Sequence, residues 1–320
     1  MDDAALGVSL DDIRAAAARL QGHAVRTPLL NAPSLDAVVG RRIFVKAECL
    51  QKTGSFKFRG AFATISGLSP ERRAAGILAF SSGNHAQGVA LAAQMHGVPA
   101  TIVMPADAPQ VKIENTRSYG AEVVLYDRAT QDRYAIGERL QAERGMELVR
   151  PFDDLRVIAG QGTVGLELAE DLPEGIDEVL VCCGGGGLTA GLSIGLGGRA
   201  RPRPVEPEGF DDVVRSLATG VRQTIEQTGG SLCDAILTPS PGRLTLPIIA
   251  AHCGPGIVVS DDDALRAMAL AWQHLRIVLE PGGAVALAAG LFHHGGNVAV
   301  VASGGNVDRT VFQEALSRFG

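Results

Sequence analysis

Lysine is scarce in this chain: Lys46, Lys52, Lys57 and Lys112 are the only ones, and arginine supplies the remaining basic charge. Lys57 lies in Thr53-Gly54-Ser55-Phe56-Lys57-Phe58-Arg59-Gly60, at the opening of an apolar helical stretch. A lysine withdrawn from water and set near a second cation loses its proton more easily, and the neutral amine is the form that adds to a carbonyl carbon. Most lysines in such a position are solvated caps, so the chemistry needs support from elsewhere in the chain.

Three glycine-rich turns supply that support, each directly after a short apolar run: Ser81-Ser82-Gly83-Asn84-His85, Gly184-Gly185-Gly186-Gly187-Leu188, and Ser303-Gly304-Gly305-Asn306. In an open α/β sheet, ligands bind at the carboxyl ends of strands, so turns there point to one ligand held from several sides. The four consecutive glycines can close successive N–H groups around an anion at a helix start. By itself this segment suits a nucleotide as well as a smaller phosphate ester. Gly185 to Ala190 also fits a dinucleotide pattern, and Glu206 lies near the expected place of a ribose-binding acid. His85 reads as a hydrogen-bonding member of its loop, and His293-His294 as a helix-end or surface pair.

The elements that must carry these turns follow from periodicity. Short apolar runs predict strands at 43–47, 77–81, 101–104, 122–126, 178–182, 257–259 and 298–302. Helical periods fall at 11–20, 86–95, 132–143, 159–170, 263–275 and 284–292. This alternation predicts a doubly wound α/β fold, with length enough for two lobes. The stretch from Gly197 to Pro207 sits where a strand should follow, but Pro202, Pro204 and Pro207 predict a short edge strand or a loop.

A net charge of −6, without a dense basic run, argues against nucleic acid and suits a soluble homo-oligomer. No apolar run reaches membrane-spanning length, and the first twenty residues carry four aspartates instead of a basic leader. Cys49, Cys182, Cys183, Cys233 and Cys253 are an odd set without metal-site spacing, as expected of reduced thiols in a cytoplasm.

Taken together the chain resembles the fold-type II pyridoxal-phosphate enzymes, in the branch of the serine/threonine dehydratases (threonine ammonia-lyases) and serine racemases. The resemblance runs through Arg26-Thr27-Pro28, Glu48-Cys49-Leu50-Gln51, the Lys57 motif, Ser81 to Gln87 and the four glycines. It continues through Val205-Glu206-Pro207-Glu208-Gly209, Glu280-Pro281-Gly282-Gly283-Ala284 and Ser303 to Asp308. It implies two doubly wound open-sheet domains of the tryptophan synthase β-like kind: a large cofactor-binding domain from 1–75 and 151–320, and a small domain, 76–150, covering the cleft. It further implies that Lys57 carries pyridoxal 5'-phosphate, that Phe56 packs on its ring, and that Gly184, Gly185, Gly186 and Gly187, with Leu188, hold its phosphate. Asn84 would bond the ring hydroxyl and Ser303 would face the ring nitrogen. A neutral partner such as Ser303 favours elimination over transamination, because it does not hold that nitrogen protonated as a carboxylate would.

The same resemblance assigns substrate binding to Ser81, Ser82, Gly83, Asn84 and His85. Many threonine dehydratases have Ala where Ser82 stands, whereas the racemase branch has Ser, acting as acid/base opposite the lysine. It places Mg²⁺, Ca²⁺ or Mn²⁺ on Glu206, the Phe210 carbonyl and Asp212, oxygen ligands that suit a hard cation. The implied reaction is deamination of a β-hydroxy amino acid, L-threonine or L-serine, to a 2-oxo acid and ammonia by loss of water. The alternatives are a 3-hydroxyaspartate dehydratase, which Arg133 near the cleft mouth would suit, a serine racemase, and a β-replacement enzyme of the cysteine synthase type. A nicotinamide dehydrogenase would leave Lys57, Asn84 and Ser303 unexplained. The chain ends soon after Asp308, so feedback control through an additional C-terminal domain is not expected, and a homodimer or tetramer is.

Overall fold

The computed structural model describes residues 6–320 apart from 82, 109, 128 and 228. Among these, ten strands form two sheets. The strands are β1 (Leu29–Leu30), β2 (Ile43–Lys46), β3 (Ile77–Phe80), β4 (Ala100–Pro105), β5 (Glu122–Tyr126), β6 (Glu147–Leu148), β7 (Glu178–Cys182), β8 (Arg201–Pro207), β9 (Ile257–Val259) and β10 (Val298–Val301). The larger sheet runs β1-β2-β10-β7-β8-β9, parallel except for the antiparallel β1–β2 pair. The smaller runs β5-β4-β3-β6 and is parallel throughout. Parallel neighbours require crossovers, and helices supply them, as the doubly wound expectation holds. No helix among the described residues is long and apolar enough to cross a membrane.

The seven strands expected from apolar runs are all present, with ends within a residue or two. β1 and β6, at two residues each, are too short to leave a periodic signal. The proline-rich segment corrects the expectation of an edge strand or loop: β8 is a seven-residue strand lying between β7 and β9. The Arg201 N–H donates to Asp177 O and Val205 O accepts from the Cys183 N–H, so residues 201, 203 and 205 turn their backbone polar groups toward β7. Pro202 and Pro204 therefore face the other side, where β9 pairs only from Val205 onward. Pro207 faces the β7 side beyond the last β7 partner, Cys182. Each missing N–H thus falls where no ladder bond is needed.

Two helices cross backbone to backbone beneath the glycine turn. A Cβ on Gly191, in helix Gly187–Gly195, would run into Ile158 O of helix Leu155–Asp171, and one on Gly195 into Gly162 O. Their core continues through Phe58, Ala61 and Phe62 of helix Lys57–Ser66 to Ile77, Ala79 and Ile102 of the smaller sheet. The helix carrying Lys57 is tied down by Arg59, which is buried and makes paired bonds to both Glu48 (2.8 and 2.8 Å) and Glu167 (2.7 and 2.9 Å). A buried guanidinium held by two carboxylates leaves that helix little freedom to slide.

Candidate active site

A cavity opens between the carboxyl end of the larger sheet and the helix that follows β3. Lys57 is the first residue of its helix and projects into this cavity, where its Nζ donates to Pro151 O at 2.8 Å. Burial pushes its amine down to about 8, against the opposing pull of Cys182 and Glu280. A substantial neutral fraction near physiological pH is what an attacking or proton-accepting lysine requires. Phe56 is buried immediately before it, with the Lys57 ammonium nitrogen 5.1 Å from the ring centre.

The four glycines line the same cavity between β7 and helix Gly187–Gly195, together with Leu188. Gly186 has φ +89°, in the region closed to most side chains. A Cβ on Gly185 would run into the Phe152 ring, and one on Gly184 would stand 2.9 Å from both Ile236 O and Thr238 Oγ1. The helix begins at Gly187, so its first N–H groups have no intrahelical acceptor and face the turn. Such a cradle fits a phosphate ester held by backbone donors.

Ser303, buried at the end of β10, completes a second wall. The Cys182 thiol, pushed up to about 11 by burial, keeps its proton and donates to Ser303 Oγ at 3.1 Å. Across the cavity Asn84 starts helix Asn84–Met95, donating from Nδ2 to Glu280 Oε1 at 2.5 Å and accepting at Oδ1 from Asn306 Nδ2 at 2.7 Å. Ser81 and Gly83 also line it, and Ser81 Oγ accepts the Gly83 N–H at 3.1 Å. Ser82 lies outside the described residues. His85 Nε2 donates to Val149 O at 2.9 Å, and burial with the nearby Lys57 charge holds its imidazole down to about 3. His85 is therefore neutral, as befits a hydrogen-bonding group.

Sequence reasoning missed Phe152, Thr238, Lys112, Asp234 and Glu280 as cavity residues. Glu280 carried a signal in its Pro-Gly-Gly neighbourhood. Asp234 and Thr238 come from an irregular segment without periodicity, at and just beyond the short turn Asp234–Ile236, and carried none. Arg133, exposed at the start of helix Arg133–Arg144, does not line the cavity.

Glu206, Phe210 and Asp212 stand apart from this cavity, where β8 leads into helix Asp212–Thr219. Glu206 is buried and accepts the Val213 and Val214 N–H groups at 3.1 and 2.7 Å. Burial, then the neighbouring Asp212, raises its carboxyl well above the ordinary range, and burial pushes Asp212 up to about 7. Asp212 Oδ2 is buried without a hydrogen-bond partner. Two crowded carboxylates with an orphaned oxygen fit a hard cation. Among the described residues no three His, Cys, Asp or Glu side chains gather as a metal cluster, so such an ion would also need the Phe210 carbonyl and water.

Two open parallel sheets with a lysine, a glycine phosphate cradle and a neutral serine converging on one cavity define a cofactor-dependent enzyme of the pyridoxal-phosphate kind. The chain belongs to the pyridoxal-phosphate dependent enzyme family, whose model matches residues 4–304. It is 43% identical over 307 residues to the L-threo-3-hydroxyaspartate ammonia-lyase of Pseudomonas sp, covering 94% of this chain and 96% of the relative. It is 39% identical over 319 residues to the serine racemase of Oryza sativa subsp. indica, covering 96% and 93%. Among solved structures it matches the T.th. threonine deaminase with a TM-score of 0.88 and 44% identity, over 94% of this chain and 99% of that one.

Proposed function

We propose that this enzyme deaminates a β-hydroxy amino acid by α,β-elimination of water, releasing a 2-oxo acid and ammonia. The observation that carries the reading is the Lys57 amine, held at Pro151 O and poised near 8, facing a Ser303 hydroxyl that takes a thiol hydrogen bond from Cys182. Bound pyridoxal phosphate supplies a sink for the electron pair left when the substrate Cα–H bond breaks. Lys57 would anchor the cofactor covalently and, once displaced by the substrate's own amine, would take the α-proton at its freed Nζ. The glycine turn and Leu188 hold the phosphate, Phe56 packs on the ring, Ser303 meets the ring nitrogen and Asn84 the ring hydroxyl. The Cys182 thiol occupies one Ser303 lone pair, and the neutral Ser303 hydroxyl, unlike a carboxylate, would not hold the ring nitrogen protonated. That arrangement supports elimination over transamination.

Substrate is bound by the loop Ser81, Ser82, Gly83, Asn84 and His85, with the small domain, 76–150, covering it. Glu206, the Phe210 carbonyl and Asp212 hold Mg²⁺, Ca²⁺ or Mn²⁺. The working state is a cytoplasmic homodimer or tetramer. Similarity to ammonia-lyases for L-threo-3-hydroxyaspartate and to serine racemases supports both the reaction class and a β-hydroxy substrate. The test is ammonia release from L-serine, L-threonine, both 3-hydroxyaspartate diastereomers and phenylserine. Release without added thiol is expected. Dependence on a thiol would move the enzyme to β-replacement, and D-serine formation without ammonia would make it a racemase.

A further inference from the structure

We propose that Glu280 and Asn306 are positioning residues that lock the Asn84 amide so that an N–H, and not its carbonyl, is turned toward the ring hydroxyl of the bound cofactor. The inference rests on the reading that Asn84 meets that hydroxyl. Asn306 Nδ2 has two hydrogens, and both are committed: one to Thr53 O at 2.7 Å, the other to Asn84 Oδ1 at 2.7 Å. Asn84 Oδ1 is thereby fixed as an acceptor on the Asn306 side. Its Nδ2 gives one hydrogen to Glu280 Oε1 at 2.5 Å and keeps the other for the cavity that both residues line.

Amide orientations are fixed by their partners, and these partners permit one only. Flipping Asn84 would press its carbonyl on the Glu280 carboxylate and its NH₂ on the NH₂ of Asn306, losing both bonds at once. Room for the chain is built into the backbone. A Cβ at Gly304 would run into Glu280 Oε1, and one at Gly54 would stand 2.5 Å from Asn306 Oδ1. The backbone closes around it as well, Glu280 N–H to Gly304 O at 3.1 Å and Gly305 N–H to Gly54 O at 2.9 Å.

A donor at the ring hydroxyl favours its ionised form, and the Asn84–Glu280 bond that holds this donor in place is strongest when Glu280 is charged. Glu280 is buried, and the charged groups facing it are Lys57, Lys112 and Asp234, with the Cys49 and Cys182 thiols nearby. Burial pushes its carboxyl up to about 7, while the Asn84 bond pulls the other way. The lock therefore weakens as pH falls through neutrality.

The test compares the holoenzyme with Asn84→Ala, Glu280→Gln and Asn306→Ala, reading the visible absorption band of the bound cofactor against pH and the cofactor dissociation constant. Glu280→Gln keeps an acceptor and removes the charge. The expected result is a band shift in all three, about tenfold weaker cofactor binding in Asn306→Ala, and loss of the titration near neutrality in Glu280→Gln. If Asn84→Ala shifts the band while the other two match the unmodified enzyme in band, titration and affinity, the lock is overturned. If Asn84→Ala leaves the band unchanged, the ring-hydroxyl reading fails and the proposal falls with it. Apo-protein melting shows whether each variant folds, and Asn306→Ala probes the lock from the opposite side should Glu280→Gln fold poorly.

Discussion

Replacing Lys57 by Met should make the cofactor-free protein more stable at neutral pH, and the gain should vanish in alkali. Burial brings the amine from its ordinary 10.5 to about 8. At about 1.4 kcal/mol per pH unit this disfavours the charged amine in the folded chain by about 3 kcal/mol, and by about 2 once water entering the cavity is allowed for. The hydrogen bond to Pro151 O returns about 1 kcal/mol, leaving a net gain of about 1 kcal/mol for the variant, or about 2 °C in melting temperature. Between about 8 and 10.5 the unfolded chain binds the Lys57 proton and the folded chain does not, so the unmodified protein gains stability with rising pH. The two melting curves should converge over that window, and the unmodified protein should lead above it by the value of the retained hydrogen bond. Thermal melts of both cofactor-free proteins across the window provide the measurement. A variant less stable at neutral pH, or a gap that ignores pH, would refute the argument that burial sets the reactivity of this amine.

Arg59→Met leaves the buried Glu48 carboxylate without its guanidinium and should destabilise the fold by about 3–5 kcal/mol, seen as a lower urea midpoint; adding Glu48→Gln should recover part of the loss. Gly185→Ala drives a methyl into the Phe152 ring and should weaken cofactor binding by about tenfold or more in equilibrium dialysis, with the circular dichroism spectrum retained. Mg²⁺ should raise the melting temperature of the unmodified protein but not of Asp212→Asn, and the effect should grow above pH 7, where Asp212, poised near 7, gives up its proton. Equal stabilisation of both proteins would remove the cation from Asp212.

The glycine turns were legible because a strand followed by small residues at a helix start is a local pattern, readable within a few neighbours. The Lys57 motif was legible for the same reason, and so were the strands that end at Cys182 and Val301. β8 was not, because a proline in a strand is tolerable or not according to which side its nitrogen faces and what lies there. That is a property of the neighbours and not of the segment. Glu280 was visible as part of a motif, but its partnership with Asn84, 196 residues away in sequence, was not.

By itself the sequence determined which groups could do chemistry: one lysine in an apolar helix start, a phosphate-sized glycine turn and a neutral serine at a third strand end. These are matters of residue type and local backbone, which travel with the chain. Tertiary structure alone decided the state of those groups. Burial brings Lys57 near neutrality, the Cys182 thiol orients the Ser303 hydroxyl, and Asn306 and Glu280 orient the Asn84 amide. Desolvation and hydrogen-bond direction depend on what surrounds an atom, and those surroundings are assembled from segments far apart in the chain.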